Sequence, residues 1–364
     1  MKNYLACHTH LFANSICFYA VCIVTIERQV LFGYVVYLFF YFKSLNQLKN
    51  SCLIFLMKVF CPFLKCIFRF IGFAYIPEFL RNSFFNSIYQ QKSIITTFKE
   101  AGYQTAFFSN QRYNHSFIDF FGKEADTCNF IKENVKHANY NPSDDELLEL
   151  VATELAKNAP KQFIVLHTYG SHFNYRERYP SENAFFLPDF PVDAEVKYKD
   201  NLVNAYDNSI RYTDDFLARL IGMLQEQNTD AAMLYTSDHG EDIFDDSRRL
   251  FLHASPVPSY YQIHVPFLLW MSDSYRDHYP SLWENTISNK QKNISSSASF
   301  FHTMLELGGV TTPYRNDSLS VVNGLFTEKP RVYLNDHNEA RSLNEIGMGE
   351  EDFEMLQQKG ILYR

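Results

Sequence analysis

The chain has 364 residues, enough for one large or two modest domains, with 46% hydrophobic residues and a formal net charge of −8 at pH 7. The charge is unevenly divided: residues 1–92 carry nine Lys/Arg against two acids, Glu27 and Glu78 (+7), which leaves 24 basic and 39 acidic residues (−15) in 93–364. So acidic a body repels a phosphate backbone, which excludes nucleic acid as a partner, and no Walker or dinucleotide-type glycine motif is present.

The front segment holds apolar stretches near residues 11–26, 30–42 and 51–76. Glu27 and Arg28 interrupt the first two, which are shorter than the roughly 20 residues of a spanning helix. The third contains Lys58, Lys65 and Arg69, costly at mid-bilayer. Excess Lys with almost no acid suits a cytoplasmic membrane face. No small-residue cleavage site follows the first apolar run, so a signal peptide fits poorly. Six of the seven cysteines lie in this segment (Cys7, Cys17, Cys22, Cys52, Cys61 and Cys66), and Cys128 alone follows. The expected division is a hydrophobic basic segment over 1–92, either membrane-associated or not native to the rest of the chain, and a catalytic domain over 93–364.

From Ser93 onward strands and helices alternate. Ser93 to Ala101 reads as a helix closed by Gly102, and Gln104 to Phe108 as a strand ending at Ser109-Asn110-Gln111. Ser143-Asp144-Asp145-Glu146 has capping-box spacing ahead of a helix to about Lys157. Gln162 to His167 is a buried-strand run that leads to Thr168-Tyr169-Gly170-Ser171-His172. A helix follows over about Leu202 to Glu226, with an apolar stripe through Val203, Tyr206, Ile210, Thr213, Leu217, Leu220 and Leu224. Ala231 to Thr236 and Val265 to Trp270 read as strands, with Pro266 near the start of the second. Ser295-Ser296-Ser297 reads as a loop entering a helix over Ser299 to Leu307, which Gly308-Gly309 stops. Arg331 to Leu334 is a last strand. Apolar strands separated by helices imply an α/β fold, a mostly parallel central sheet with helices on both faces. Such sheets place their chemistry beyond the strand C-termini. Three strand ends carry His or Asp: His167 with His172, Asp238 with His239, and Asn335 with Asp336.

Ser237-Asp238-His239-Gly240 ends one of these buried strands. Asp supplies a hard oxygen and His a neutral nitrogen, a mixture that suits zinc. Gly240 lets the chain turn away from an ion without a side-chain clash. Asp238, His239, His172 and His253 are therefore expected to gather above the sheet around a cation. There the cation would activate a hydroxyl nucleophile and neutralise phosphate oxygens, with histidines acting as hydrogen-bond donors and acids. Taken alone, His167, His264 and His302 read as structural. Glu241 and Asp242 read as a solvated turn or as supports rather than direct ligands.

Several segments together carry a family resemblance: Phe98-Lys99-Glu100-Ala101-Gly102-Tyr103 with Phe107 to Gln111, Gly170-Ser171-His172 with Arg178-Tyr179-Pro180, Tyr206-Asp207-Asn208-Ser209, Ser237 to Asp242, and Leu252-His253. Over about residues 93–335 the sequence resembles the phosphoethanolamine transferases of the alkaline phosphatase/sulfatase superfamily, the type that modifies lipid A. The resemblance implies an alkaline phosphatase/sulfatase-like fold with Asp238 and His239 as ligands of a catalytic zinc. His172 and His253 would be the phosphate-side histidines. It also implies phosphatidylethanolamine as donor, lipid A or another envelope glycolipid as acceptor, and an inner-membrane enzyme with a periplasmic catalytic domain. The chain departs from the pattern in two places. No Gly-Glu-Ser supplies the further zinc-binding Glu, and no Thr stands where the nucleophile belongs: Thr25 is too early, Thr96 and Thr97 too late. The expected activity is therefore impaired transfer. The alternatives are a catalytically dead fragment, a phosphoglycerol transferase relative, or a sulfatase relative. For the last, Cys61-Pro62-Phe63-Leu64-Lys65 lacks the required context.

Overall fold

A computed structural model describes residues 4–6, 93–112, 117–133, 141–253, 257–334 and 340–361. The apolar stretches of the front segment and Asn335-Asp336 lie outside the described residues. Among the described residues no helix is long and apolar enough to cross a membrane.

The elements, in order, begin with β1 (Tyr4–Ala6), α1 (Ile94–Glu100), β2 (Gln104–Ser109), α2 (Phe117–Gly122), β3 (Thr127–Phe130), α3 (Glu146–Leu155) and β4 (Gln162–His167). The long α4 (Lys199–Glu226), β5 (Ala232–Thr236), β6 (Asp242–Ile243), β7 (Phe251–Leu252), α5 (Tyr260–Ile263) and β8 (His264–Met271) follow. The C-terminal part contains α6 (Asp273–His278), α7 (Pro280–Asn289), α8 (Ser296–Leu307), β9 (Val332–Leu334), β10 (Ala340–Ser342) and α9 (Glu350–Gln358). Most expected elements are present with bounds shifted by up to three residues; α8 begins at Ser296, so Ser296-Ser297, expected in the entering loop, form its first turn behind Ser295 as cap. The elements around β3, the β6–β7 hairpin and α9 had no clear signal in the sequence.

β2 lies between β3 and β4, parallel to both. Side chains alternate across a strand, so Thr105 and Phe107 face one way, Ala106 and Phe108 the other. In register, Phe163 of β4 stands beside Thr105, and its ring stacks on Phe98 of α1 at 3.9 Å. A Cβ on Gly122 of α2 would strike the Phe107 ring at 2.7 Å. Helices α1 and α2 therefore cover this face. On the other, Ala106 and Phe108 share a core with Val151 and Leu155 of α3, Phe216 and Leu220 of α4, and Met233 of β5. This is the expected parallel sheet with helices on both faces. β5 pairs with β8 in antiparallel fashion, and β1 adds an antiparallel strand to the outer edge of β8.

The apolar stripe of α4 departs from expectation in its N-terminal half. Ile210 is 46% exposed, while Asn201, Asn208 and Ser209 are buried. The reason is polar. Asn208 accepts from the Phe185 and Phe186 amides at 2.9 Å each and donates to the Phe186 carbonyl at 2.9 Å. Asn204 donates to the Pro188 carbonyl at 2.9 Å and Asn201 to that of Phe190 at 3.3 Å. Buried backbone polar groups must be paired, so the helix turns its amide side chains, not Ile210, toward this strap.

The β6–β7 hairpin is held from far along the chain. Asp352 of α9, with no exposed surface, accepts from both terminal nitrogens of Arg248 at 2.7 and 2.8 Å and from the Tyr260 amide at 2.8 Å. Arg248 also binds Asp246 beside it. Removing Asp352 leaves Arg248 with Asp246 as its remaining ion-pair partner and the buried Tyr260 amide without its acceptor. Asp352→Ala is expected to lower unfolding free energy in urea by roughly 3 kcal/mol, whereas the partly exposed Asp246→Ala should lose under about 1 kcal/mol. Equal losses would contradict the anchoring role of Asp352.

Candidate active site

Three chain segments approach one another beyond the strand ends: Ser237–Glu241 after β5, His253 after β7, and Thr168–His172 after β4. The turn after β5 needs glycine for a reason other than the expected one. The Gly240 amide donates to the Gln262 carbonyl at 2.8 Å, and a Cβ there would lie 2.0 Å from the Tyr261 carbonyl oxygen. Close backbone approach, not clearance around an ion, fixes Gly240.

Asp238 is 2% exposed. Its Oδ1 accepts from the His239 amide at 3.0 Å, and its Oδ2 is buried with no hydrogen-bond partner. Desolvation pushes its carboxyl up to about 8, although the charge of His253 pulls the other way. The Oδ2 lies 3.7 Å from His239 Nε2. His239 Nδ1 is 2.8 Å from the Gly240 carbonyl. A carbonyl only accepts, so Nδ1 must donate, and in the neutral ring the Nε2 lone pair then stands on the Asp238 side.

His253 faces His239 ring to ring, with centroids 3.6 Å apart. Its Nδ1 is 3.0 Å from Glu241 Oε1. Burial alone would lower its pKa, but the Glu241 hydrogen bond and the Glu241 and Asp238 charges outweigh burial and raise it. His172 behaves oppositely. Desolvation first, then the Arg178 charge, lower it to about 4, with smaller contributions from His253 and His239. Its ring meets that of Tyr169 edge-on at 6.0 Å, and the Arg178 guanidinium lies 4.6 Å from the Tyr169 centroid. Asp238, His239 and His253 are thus brought into direct proximity, with His172 in electrostatic reach of both histidines.

Glu241 was expected in a solvated turn or a supporting role. The structure removes the first option, because its side chain is only 5% exposed. Its Oε2 is buried without a partner. Ligand atoms of His239, Glu241 and His253 lie within 4.8 Å of one another. Asp242 is a support: Ser259 donates to it at 2.7 Å and Gln262 at 2.5 Å. The signal for Glu241 was its position one residue before a buried Asp242-Ile243 pair, too short to read as a strand. Behind Glu241 lie Tyr175 and Tyr206, rings 5.1 Å apart. Both hydroxyls are raised in pKa, by burial and then by the Glu241 charge.

The histidines read as structural have local partners. His167 Nδ1 is 2.9 Å from Ser109 Oγ, His264 pairs with Tyr260, and His302 Nδ1 accepts from the Asn316 amide at 3.1 Å. The motif segments also brace the scaffold. Tyr179 donates to Asp189 at 2.7 Å and receives a bond from Asn208 at 3.2 Å, while Arg176 Nε lies 3.3 Å from Asp189.

Comparison with known proteins agrees with this architecture. A family model described as Sulfatase matches residues 61–310, starting within the segment outside the described residues. The Escherichia coli K12 phosphoethanolamine transferase EptC is 27% identical over 252 residues, 66% of this chain and 42% of that protein. The Kdo(2)-lipid A phosphoethanolamine 7''-transferase of the same strain is 38% identical over 142 residues, 38% of this chain and 24% of that protein. The chain spans less than half the length of these curated relatives. The crystal structure of the C-terminal periplasmic domain of Escherichia coli EptC in complex with Zn aligns with a TM-score of 0.63 at 25% identity, covering 72% of this chain and 74% of that one. The chain belongs to the sulfatase family, and it is similar in sequence and fold to phosphoethanolamine transferases.

Proposed function

We propose that Asp238, His239, His172 and His253 form a zinc-dependent centre for handling phosphoethanolamine. The observation that carries this reading is the orphaned Asp238 Oδ2, buried beside His239 Nε2. A buried carboxylate oxygen without a partner is strongly disfavoured, and a cation supplies what this one lacks. The donor set fits zinc: one carboxylate oxygen and one neutral imidazole from Asp238 and His239, with Glu241 and His253 close by. Zinc, when bound, supplies Lewis-acid neutralisation of phosphoryl oxygens and of a nucleophilic hydroxyl.

The protein groups divide the remaining work. Glu241 holds the His253 ring through Nδ1 and so directs Nε2 toward the phosphoryl position. The raised pKa of His253 keeps a proton available for a phosphoryl or leaving oxygen. His172, held neutral near the Arg178 charge, serves as a hydrogen-bonding partner rather than a second cation. Two histidines with pKa values pushed apart make an asymmetric pair. The donor in this reading is phosphatidylethanolamine and the acceptor lipid A or another envelope glycolipid, with the domain on the periplasmic side of the inner membrane. The relatives that carry lipid A transferase names support the acceptor class. A second reading, a centre that binds metal and headgroup without turnover, is favoured by one observation: the sequence contains no Gly-Glu-Ser and no Thr at the nucleophile's place.

Zinc titration of the purified chain tests the centre. Asp238→Ala is expected to weaken zinc binding by about a hundredfold or more, and Glu241→Gln by about tenfold through loss of ring orientation. Unchanged affinity in Asp238→Ala would remove the centre. Zinc affinity is also expected to depend on pH. Binding requires the ionised Asp238 carboxylate, which burial keeps protonated up to about pH 8. Affinity should therefore fall about tenfold per pH unit below about 8 and level off above it. A competition titration across that range reads the slope, and a flat profile would count against Asp238 as ligand.

A further inference from the structure

We propose that Asp144 is a positioning residue for His172, acting by locking the ends of two parallel strands into one joint. The inference rests on the proposed role of His172 but concerns a residue outside that site. Asp144 sits in Ser143-Asp144-Asp145-Glu146, whose spacing resembles a helix cap. It does not cap α3. Half of a capping box forms through other residues, with the Ser143 amide donating to Glu146 at 3.1 Å. The Asp144 side chain, in a residue 7% exposed, instead reaches across to the sheet. Its Oδ1 accepts from Asn110 Nδ2 at 2.5 Å and from the Tyr169 amide at 2.9 Å, and its Oδ2 from the Gly170 amide at 2.9 Å.

Asn110 follows β2 and Tyr169-Gly170 follows β4, so one carboxylate joins both strand ends. Gly170 has φ +53°, a left-handed conformation that glycine adopts without strain. The amide of that turn is fixed by Asp144, and His172 follows two residues later. Tyr169, whose own amide is a second tether, places its ring against His172. The position of His172 is thus set at the base of its loop by a group that never meets a ligand. Burial raises the Asp144 pKa, and the three donors and Arg178 offset only part of that.

Asp144→Asn tests the joint at constant volume. The amide keeps one acceptor and turns a donor toward backbone N–H groups, so at least one tether is lost. Histidine ring NMR on the full chain gives the first readout, with the His172 signal assigned by its loss in His172→Ala. That signal is expected to shift in Asp144→Asn, while exposed His278 stays put. An unmoved His172 signal would overturn the proposal. The second readout is binding of free phosphoethanolamine to the zinc-loaded chain. Asp144→Asn is expected to weaken it about tenfold, which is ~1.4 kcal/mol. It should have no further effect in a His172→Ala background, because residues acting through one group are not additive. Additive losses would show that Asp144 acts by general stability, against the proposal. If the unaltered chain binds no phosphoethanolamine, the proposed function fails, and the NMR readout still decides the role of Asp144. Should Asp144→Asn not fold, Asn110→Ala removes one of the three tethers, and the same shift of His172 is expected in smaller measure.

Discussion

Burial of the Asp238 carboxylate is the constraint on which the rest of this structure depends. A carboxyl group that is 2% exposed, with one oxygen unpaired, cannot persist as an anion in a purely structural role without large cost. Much of the surrounding structure follows from keeping that oxygen in place. β5 carries it to the strand end. Gly240 allows the chain to press against the Tyr261-Gln262 backbone, which orients His239. The ring of His239 then meets that of His253, and Glu241 fixes His253 from behind. An imidazole whose Nδ1 donates to a carboxylate is held in one orientation, and its basicity rises.

This arrangement needs rigid support, because its charges lie close together in a poorly solvated place. The support comes from outside the motif. An aromatic layer of Phe173, Tyr175, Tyr206 and Phe251 lies beneath the β6–β7 hairpin, the Phe173–Phe251 and Phe173–Tyr175 rings meeting at 5.3 and 5.4 Å. Phe244 adds to it by stacking on Phe251 at 5.0 Å. At the far end of the same hairpin, Arg248 is gripped by Asp352. The hairpin is only two residues deep on each side, too short to hold itself. Packing at one end and a buried ion pair at the other substitute for strand length.

The sequence revealed the parallel core and the ends of its strands because those depend on local signals. A fully buried strand such as Gln162–His167 reads as an apolar run, and Gly102 and Gly308-Gly309 mark helix ends. Asp238, His239 and His172 could be singled out as Asp or His at strand ends, whereas His253 stood out only through the resemblance of Leu252-His253, and the structure brings His253 against His239. What stayed hidden depends on distant partners. Ile210 continues an apolar repeat yet is exposed, because Asn208 and Asn201 take the buried face to bind a strap 11 to 23 residues earlier. Glu241 looks like a turn residue and is buried, since only His253, twelve residues later, explains it. Asp144 carries the spacing of a helix cap and serves two strand ends instead. No periodicity reports such bonds, since each joins segments whose proximity is a property of the fold.

That distinction bears on what the narrower motifs mean. Ser-Asp-His-Gly carries the chemistry in the proposed reading: it brings the buried oxygen and the imidazole. Arg178-Tyr179-Pro180 and Tyr206-Asp207-Asn208-Ser209 resemble one subgroup much more specifically, yet several of their side chains are engaged in scaffolding. Tyr179 and Asn208 bind each other and Asp189, and Arg178 braces its own loop through the Asn174 carbonyl at 3.3 Å. Together they fix the path of the chain from His172 to the strap at 185–190. Metal chemistry can be common to a large superfamily because it needs only a few donors in one place. Selection among phosphorylated headgroups depends on the shape of the walls around those donors. In the proposed reading, that shape is set by the residues that tie His172's loop to α4, and these segments of the chain serve as braces rather than reactive groups.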